Sequence, residues 1–192
     1  MKHFSGLTKN TPKHLQLDAG CFIRNYDVTK TYDQQKANII GATAGGGSFS
    51  AVPTIRQIEI DGKKGAVKGF ESLDEWVVTF TANVKELTAE NLKLALCAGV
   101  SSPAENPSGY TKITGKNEIQ DSDYEDNIAW IGRMSGTDDP IIIIVKNALA
   151  TNGLSLSYSD KNEGVVPITI TGHYDLDNLE EAPFDILYPS IT

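Results

Sequence analysis

A mainly β fold follows from three features of this 192-residue chain. Pro140 opens an unbroken β-branched run, residues 141–145, which favours an extended segment buried on both sides over a helix. Residues 154–159 (LSLSYS) alternate, with Leu154, Leu156 and Tyr158 on one face and serines on the other, the period of a half-buried strand. Only one stretch, about residues 87–98, has the spacing of an amphipathic helix. The expected architecture is a β-sandwich or barrel with that helix on its flank.

Taken in order, residues 1–17 are polar and basic and contain Pro12, which predicts a loose lead-in. Residues 19–24 (AGCFIR) form the first expected strand. A polar stretch then runs into the glycine-rich GATAGGGSFS, so residues 25–47 read as a long ordered loop or arm of the kind that carries function. Residues 54–70 read as strand, turn and strand. Asp61-Gly62 accepts positive φ, and Lys63, Lys64 and Gly65 complete a five-residue loop. In EWVVTFTAN, Trp76, Val78, Phe80 and Ala82 share one face, and Val77, Thr79 and Thr81 the other. The helix should begin at an N-cap, Thr88, with Glu90 in its first turn. Its apolar stripe is Leu92, Ala95 and Leu96, with Leu87 before the cap. Asn91 and Lys93 point outward, and Gly99 stops the helix. VSSPAENPSGY reads as a loop, YTKITG and residues 128–134 as strands with the acidic turn DSDYEDN between them. VVPITITGHY and a short segment around residues 184–187 complete the set. No fixed-period repeat divides the chain, so residues 1–192 form a single domain.

The formal charge is −8 and the sequence pI about 4.8. Duplex-binding proteins need lysine and arginine to displace counterions from phosphate, so this balance argues against that role. Cys21 and Cys97 are the only cysteines and form no CxxC pair. Each sits in an apolar segment, which predicts small buried hydrophobes. The N-terminus lacks the apolar core of a signal peptide, and no apolar run approaches the roughly 20 residues of a membrane helix. Synthesis and folding in the cytoplasm are expected.

No motif points to a reaction centre. GATAGGGS has no lysine followed by serine or threonine and opens no helix, so it is not a phosphate loop. Its glycines instead permit kinks or the close approach of another chain. His3, His14 and His173 lack partners at ligand spacing. His173, near Asp175 and Asp177, reads as a strand-end residue beside a turn. DSDYEDN lacks the glycine and terminal glutamate of a calcium loop. Neither catalysis nor a metal or cofactor is expected.

LDAGCFIRNYD, IIGATAGGGSFSAVPTIRQIEIDG, IAWIGRMSG, KNALATNG and TGHYDLDNLEEAPFDI, in this order, resemble the tail tube (major tail) proteins of long-tailed bacteriophages. The forms from phages of Gram-positive hosts are most similar. The resemblance spans residues 17–187. It implies a tail-tube-type sandwich or barrel with extended arms, also found in the inner tubes of contractile tails. Subunits would form hexameric rings whose strands join into one inner barrel, and the rings would stack into a hollow tube in the virion tail. The partners implied are other copies of the chain, a tape-measure protein, a tail terminator and tail-tip proteins. DNA would pass through the lumen without specific binding.

On that expectation, inter-ring contacts fall on the polar stretch and the hairpin turn, at Tyr26, Asp27, Tyr32, Asp33, Asp61, Lys63 and Lys64. Lumen strands lie near Ser48, Ser50, Arg56, Glu59, Thr79 and Thr81. An acidic or neutral lumen lets a polyanion slide. Deleting residues 27–38 is expected to leave the subunit folded while blocking tube growth. Two other readings fit a β-sandwich: a carbohydrate-binding module, and the inner tube of a contractile machine. The first usually exposes aromatic platforms, whereas Trp76 and Trp130 lie in apolar strand patterns.

Overall fold

A computed structural model describes residues 5–97, 99–105, 107–161 and 163–191. It is mainly β. Its strands are β1 (Cys21–Arg24), β2 (Thr43–Gln57), β3 (Glu71–Val84), β4 (Gly99–Pro103), β5 (Thr111–Gly115), β6 (Glu125–Gly132), β7 (Ile141–Ala150), β8 (Val166–Thr171) and β9 (Phe184–Leu187). Seven of them make one antiparallel sheet in the order β1-β6-β7-β8-β3-β2, with β9 on the first half of β7. β4 and β5 form a separate hairpin. His3 lies outside the described residues.

The sheet folds back on itself, and β7 is the strand that permits it. Residues 142–145 pair with β9, whereas Leu149 and Ala150 pair with β8. Between these parts Asn147 adopts a left-handed conformation (φ 44°), which asparagine tolerates better than β-branched neighbours would. The two halves enclose one core. Phe22, Ile128 and Val145 from one meet Val78, Phe80, Val84, Ile168 and Ile170 from the other. Phe80 packs edge-on against Phe22, and Trp76 and Trp130 lie half-buried against the same cluster.

The helix α2 (Ala89–Ala95) is shorter than expected, and the expected end at Ala98 lies outside the described residues. Thr88 caps it as read, its hydroxyl accepting from the Asn91 N–H at 3.1 Å. Thr88→Ala should therefore lower stability by about 1 kcal/mol, measurable as a shift in urea midpoint. The buried face differs from the expected stripe. Leu94 and Ala95 are buried, Leu87 is exposed, and Asn91 points inward, where its amide donates to the carbonyls of Ile40 (2.7 Å) and Glu86 (2.9 Å). The reversal after the helix falls to Cys97 (φ 67°), while Gly99 opens β4. A side chain at Gly99 would come within 2.6 Å of the Lys93 carbonyl, which explains the glycine.

Other expectations are corrected. Residues 43–50 belong to β2, not to a loop. The glycines make an excursion within the strand, where the register slips between Thr43 and Gly47. The stretch read as VSSPAENPSGY begins as strand β4. β2 ends at Gln57 and β3 begins at Glu71, so the connection, residues 58–70, is longer than a five-residue loop. Residues 15–17 are docked rather than loose, because Leu17 N–H reaches the Arg133 carbonyl and Ser135 N–H the Leu15 carbonyl. Cys21 and Cys97 are half-buried and form no disulfide. Burial, with Asp18 nearby, raises the Cys21 thiol pKa.

The stretch 25–38 folds as a compact loop on the body. It contains a single turn, α1 (Tyr32–Gln35), capped by Thr31. Gln35 is buried, accepting from Asp27 N–H and donating to the Lys30 carbonyl, while Asn127 bonds both ways with the Tyr26 backbone. Deleting residues 27–38 would remove the buried Gln35 and its bonds to Asp27 and Lys30 while leaving Tyr26 on Asn127. Loss of stability is now the expected outcome, checked by the thermal midpoint.

Candidate functional site

The outward face of β2, β3 and β8 is set by strand parity. Inward positions alternate with outward ones, so Phe80 and Ala82 lie in the core while Thr79 and Thr81 point out. The register places Ser50 opposite Thr79, and Thr79 opposite Thr171. Ser48 stands opposite Thr81, and Thr81 opposite Thr169. Ser48 Oγ lies 2.7 Å from Thr81 Oγ1, and Thr151 Oγ1 lies 2.8 Å from Thr171 Oγ1. The result is a continuous patch of hydroxyls with no charged side chain within it.

Four of the six expected lumen residues, Ser48, Ser50, Thr79 and Thr81, meet on this face. Arg56 keeps their parity but lies past the patch, because the extra residue of the bulge at the step from Thr54 to Ile55 belongs to β3; it makes a bidentate pair with Asp74 (2.9 and 3.2 Å). Glu59 lies beyond the strand, in the connection. Thr151, Thr169 and Thr171 complete the face and were not expected there. Their signal was present in PITIT, where threonines alternate with Ile168 and Ile170. Strand alternation alone does not say which strand lies beside which.

Past the hydroxyl patch the same face becomes apolar and then acidic. Val52 stands opposite Val77, both about half exposed, while Ile55 and Leu73, equally exposed, pair on the opposite face. Thr54–Glu75 and Gln57–Glu71 pairs follow. Here the β2–β3 ribbon extends beyond β8 and ends in the connection 58–70. Of the expected contact residues there, Asp61 and Lys64 are exposed. Lys63 turns back instead, its ammonium bonding Gln57 Oε1 (3.0 Å) and the Ile58 carbonyl (3.1 Å) and lying over the Phe70 ring. Tyr26, Asp27, Tyr32 and Asp33 sit on the separate loop beside β1 and β6. Tyr32 is largely exposed.

β2 is an edge strand along its length, with β3 on one side and no described strand on the other. Pro53 fits this position. Opposite it, Trp76 N–H bonds Tyr174 Oη at 2.7 Å on the side away from β2, so Pro53 carries its missing donor on the open edge. Gly47 is required for close packing, because a Cβ there would meet the Thr81 carbonyl at 2.2 Å and the Phe22 ring at 2.9 Å. Beside it, Phe22, Phe49, Phe80, Trp130 and Ile143 line a cavity of about 490 Å³. His173 is fixed by the Asn147 carbonyl and the Tyr124 ring. Among the described residues no cluster of His, Cys, Asp and Glu suits a metal ion.

Carboxylates away from the hydroxyl patch are held ionised by specific partners. Hydrogen bonds from Lys116 and then Gln120 N–H lower the Asp123 pKa, and those from Arg56 and Ser72 lower that of Asp74. A depressed folded-state pKa means stability fully present above the unfolded value and lost as pH falls through the folded one. Urea midpoints should therefore vary little from pH 5 to 8 from these groups and decline below about pH 4. No helix among the described residues is long and apolar enough to cross a membrane. Compared with known proteins, the chain matches no family model and no curated sequence.

Proposed function

We propose that this chain is a structural virion protein that polymerises as stacked hexameric rings into the tail tube of a long-tailed bacteriophage, with the hydroxyl face lining the channel for DNA. The observation that carries the reading is an uncharged hydroxyl patch on the same sheet as a 15-residue open edge. Long open edges invite pairing with other chains, and a closed ring of copies is one way to satisfy them. Duplex DNA carries a negative charge about every 1.7 Å of its axis, so a lumen without cations gives it few points of attachment. Serine and threonine keep such a surface wet without adding charge. The net charge of −8 then resides elsewhere on the subunit, and the lumen is neutral rather than acidic. Tape-measure, terminator and tail-tip proteins are the further partners this role requires.

Electron microscopy of the purified protein at increasing concentration, with native mass, tests the reading. Hexameric rings or hollow tubes are expected. A protein that stays monomeric up to millimolar concentration, and also when supplied with tail-tip complexes, would overturn it.

A further inference from the structure

We propose that residues 154–158 are a latent strand that becomes hydrogen-bonded when the open β2 edge of a second copy comes alongside, forming the joint between ring neighbours. The inference rests on the ring reading above and names the segment that makes the closure.

The ladder between β7 and β8 stops abruptly. Thr151 N–H still donates to the Thr169 carbonyl, but the Asn152 side chain then replaces the backbone, donating to the Pro167 carbonyl (3.2 Å) and accepting from Thr169 N–H (2.9 Å). Gly153 adopts φ 67°, and Pro167 has no N–H to offer. Beyond this point residues 154–158 form no ladder, and no backbone hydrogen bond holds them among the described residues. From Leu154 to Ser157 the side chains nevertheless alternate as in a strand, while Tyr158 is exposed. Leu154 and Leu156 pack against the core, whereas Ser155 and Ser157 are exposed. Sheet pattern is present and sheet pairing is absent.

Packing identifies the sheet to which the segment belongs. Leu154 and Leu156 face the core that also holds Ile168 and Ile170, so Ser155 and Ser157 fall on the outward side, as Thr169 and Thr171 do. A strand formed here extends the hydroxyl patch by two serines and introduces no charge.

Strand direction identifies the partner. β2 and β8 both run antiparallel to β3, so they run parallel to each other. Rotation about a ring axis preserves strand sense. A neighbour's β8 placed directly against β2 would therefore make a parallel joint. With residues 154–158 between them, running antiparallel to β8, every ladder around the ring is antiparallel. Five residues span about 17 Å, an ordinary strand length, and β2 offers more edge than that. The N–H groups of Phe49 and Ala51 point to this edge, because the alternate residue Ser48 directs its N–H at Thr81.

Hydrogen exchange on the dilute monomer and on the assembled protein tests the joint. Amides of Leu154, Leu156 and Tyr158 should exchange near free-chain rates in the monomer. They should slow by about 100-fold or more on assembly, together with those of Phe49 and Ala51. A second test is Tyr158→Pro. This residue makes no backbone bond among the described residues and its side chain is 84% exposed, so the monomer's melting temperature should hold within about 3 °C. The concentration needed for assembly should rise at least about tenfold, since proline removes an N–H that points at the joint. Rings in which residues 154–158 still exchange fast, or assembly of Tyr158→Pro at the wild-type threshold, would overturn the joint and leave the ring reading standing. Absence of any oligomer would overturn both.

Discussion

Tubes built from subunits carrying Thr79→Lys and Thr81→Lys should form normally and deliver DNA at least about 100-fold less efficiently at low salt. Both positions point outward on a formed sheet, so the flexible lysine stems leave the core beneath them, Val78 and Phe80, unchanged. With six subunits, about a dozen ammonium groups would then surround each level of the channel. Six to ten phosphate contacts suffice to make affinity fall by about 10³ to 10⁵ between 50 and 200 mM salt. A chain that must slide past successive rings would meet that attraction at each one. The defect should weaken as salt is raised, because the attraction comes from counterion release. Thr79→Val with Thr81→Val is the control: it removes the hydroxyls, adds no charge and should slow transit far less. The readout is DNA delivered by particles assembled with each subunit, at two salt concentrations. Delivery by the lysine tubes at the wild-type rate in low salt would remove the argument for a neutral channel.

Asn91→Leu should cost the isolated subunit about 2–4 kcal/mol, more than any single surface change. Asn91 is buried, and its amide supplies donors to two carbonyls from different parts of the chain, Ile40 before β2 and Glu86 before α2. Leucine fills a similar volume but takes that donor from the Ile40 oxygen, while the Glu86 oxygen keeps only Thr88 N–H (3.0 Å), and a buried unsatisfied group costs about 1–3 kcal/mol with a weakened bond beside it. Against a typical total of 5–15 kcal/mol this is a large fraction. Asn91→Asp should be at least as damaging at neutral pH, since it sets a carboxylate against two carbonyl oxygens. Urea unfolding followed by circular dichroism gives the comparison. A shift below about 0.5 kcal/mol for Asn91→Leu would mean that other donors or water reach these carbonyls.

Asn91 also illustrates where reading residues in order falls short. Helical spacing correctly located the element and its Thr88 cap, because both depend on neighbours within four residues. It placed Asn91 in solvent because the carbonyl that holds it inward belongs to Ile40, remote in sequence. The strand EWVVTFTAN was readable for the opposite reason: its alternation is local, and the core face it implies is the face that packs. The same alternation puts Thr79 and Thr81 outward, and the register then sets Ser48 and Ser50 beside them. Arg56 keeps that parity as well, but nothing in the residue types announces that the ribbon there runs beyond β8 and pairs it with Asp74. Glycines 45–47 were read as loop because glycine disfavours strands. Here the strand needs them, at Gly47 because any side chain would strike the Thr81 carbonyl. In LSLSYS the face was right at Leu154 and Leu156 but not at Tyr158, which is 84% exposed, and the ladder was absent. Alternation reports what a side chain faces, not whether the backbone has a partner.

The bend in β7 has a mechanical consequence. Because one continuous backbone runs from the β9-paired part to the β8-paired part through Asn147, tension on the layer that bears the hydroxyl face passes to the other layer through covalent bonds. The layers therefore cannot shear apart without stripping β7 from β6 or β8. Such a subunit stretches first where pairing is thinnest, along the β2–β3 ribbon beyond β8, and its two-layer body moves as a stiff block.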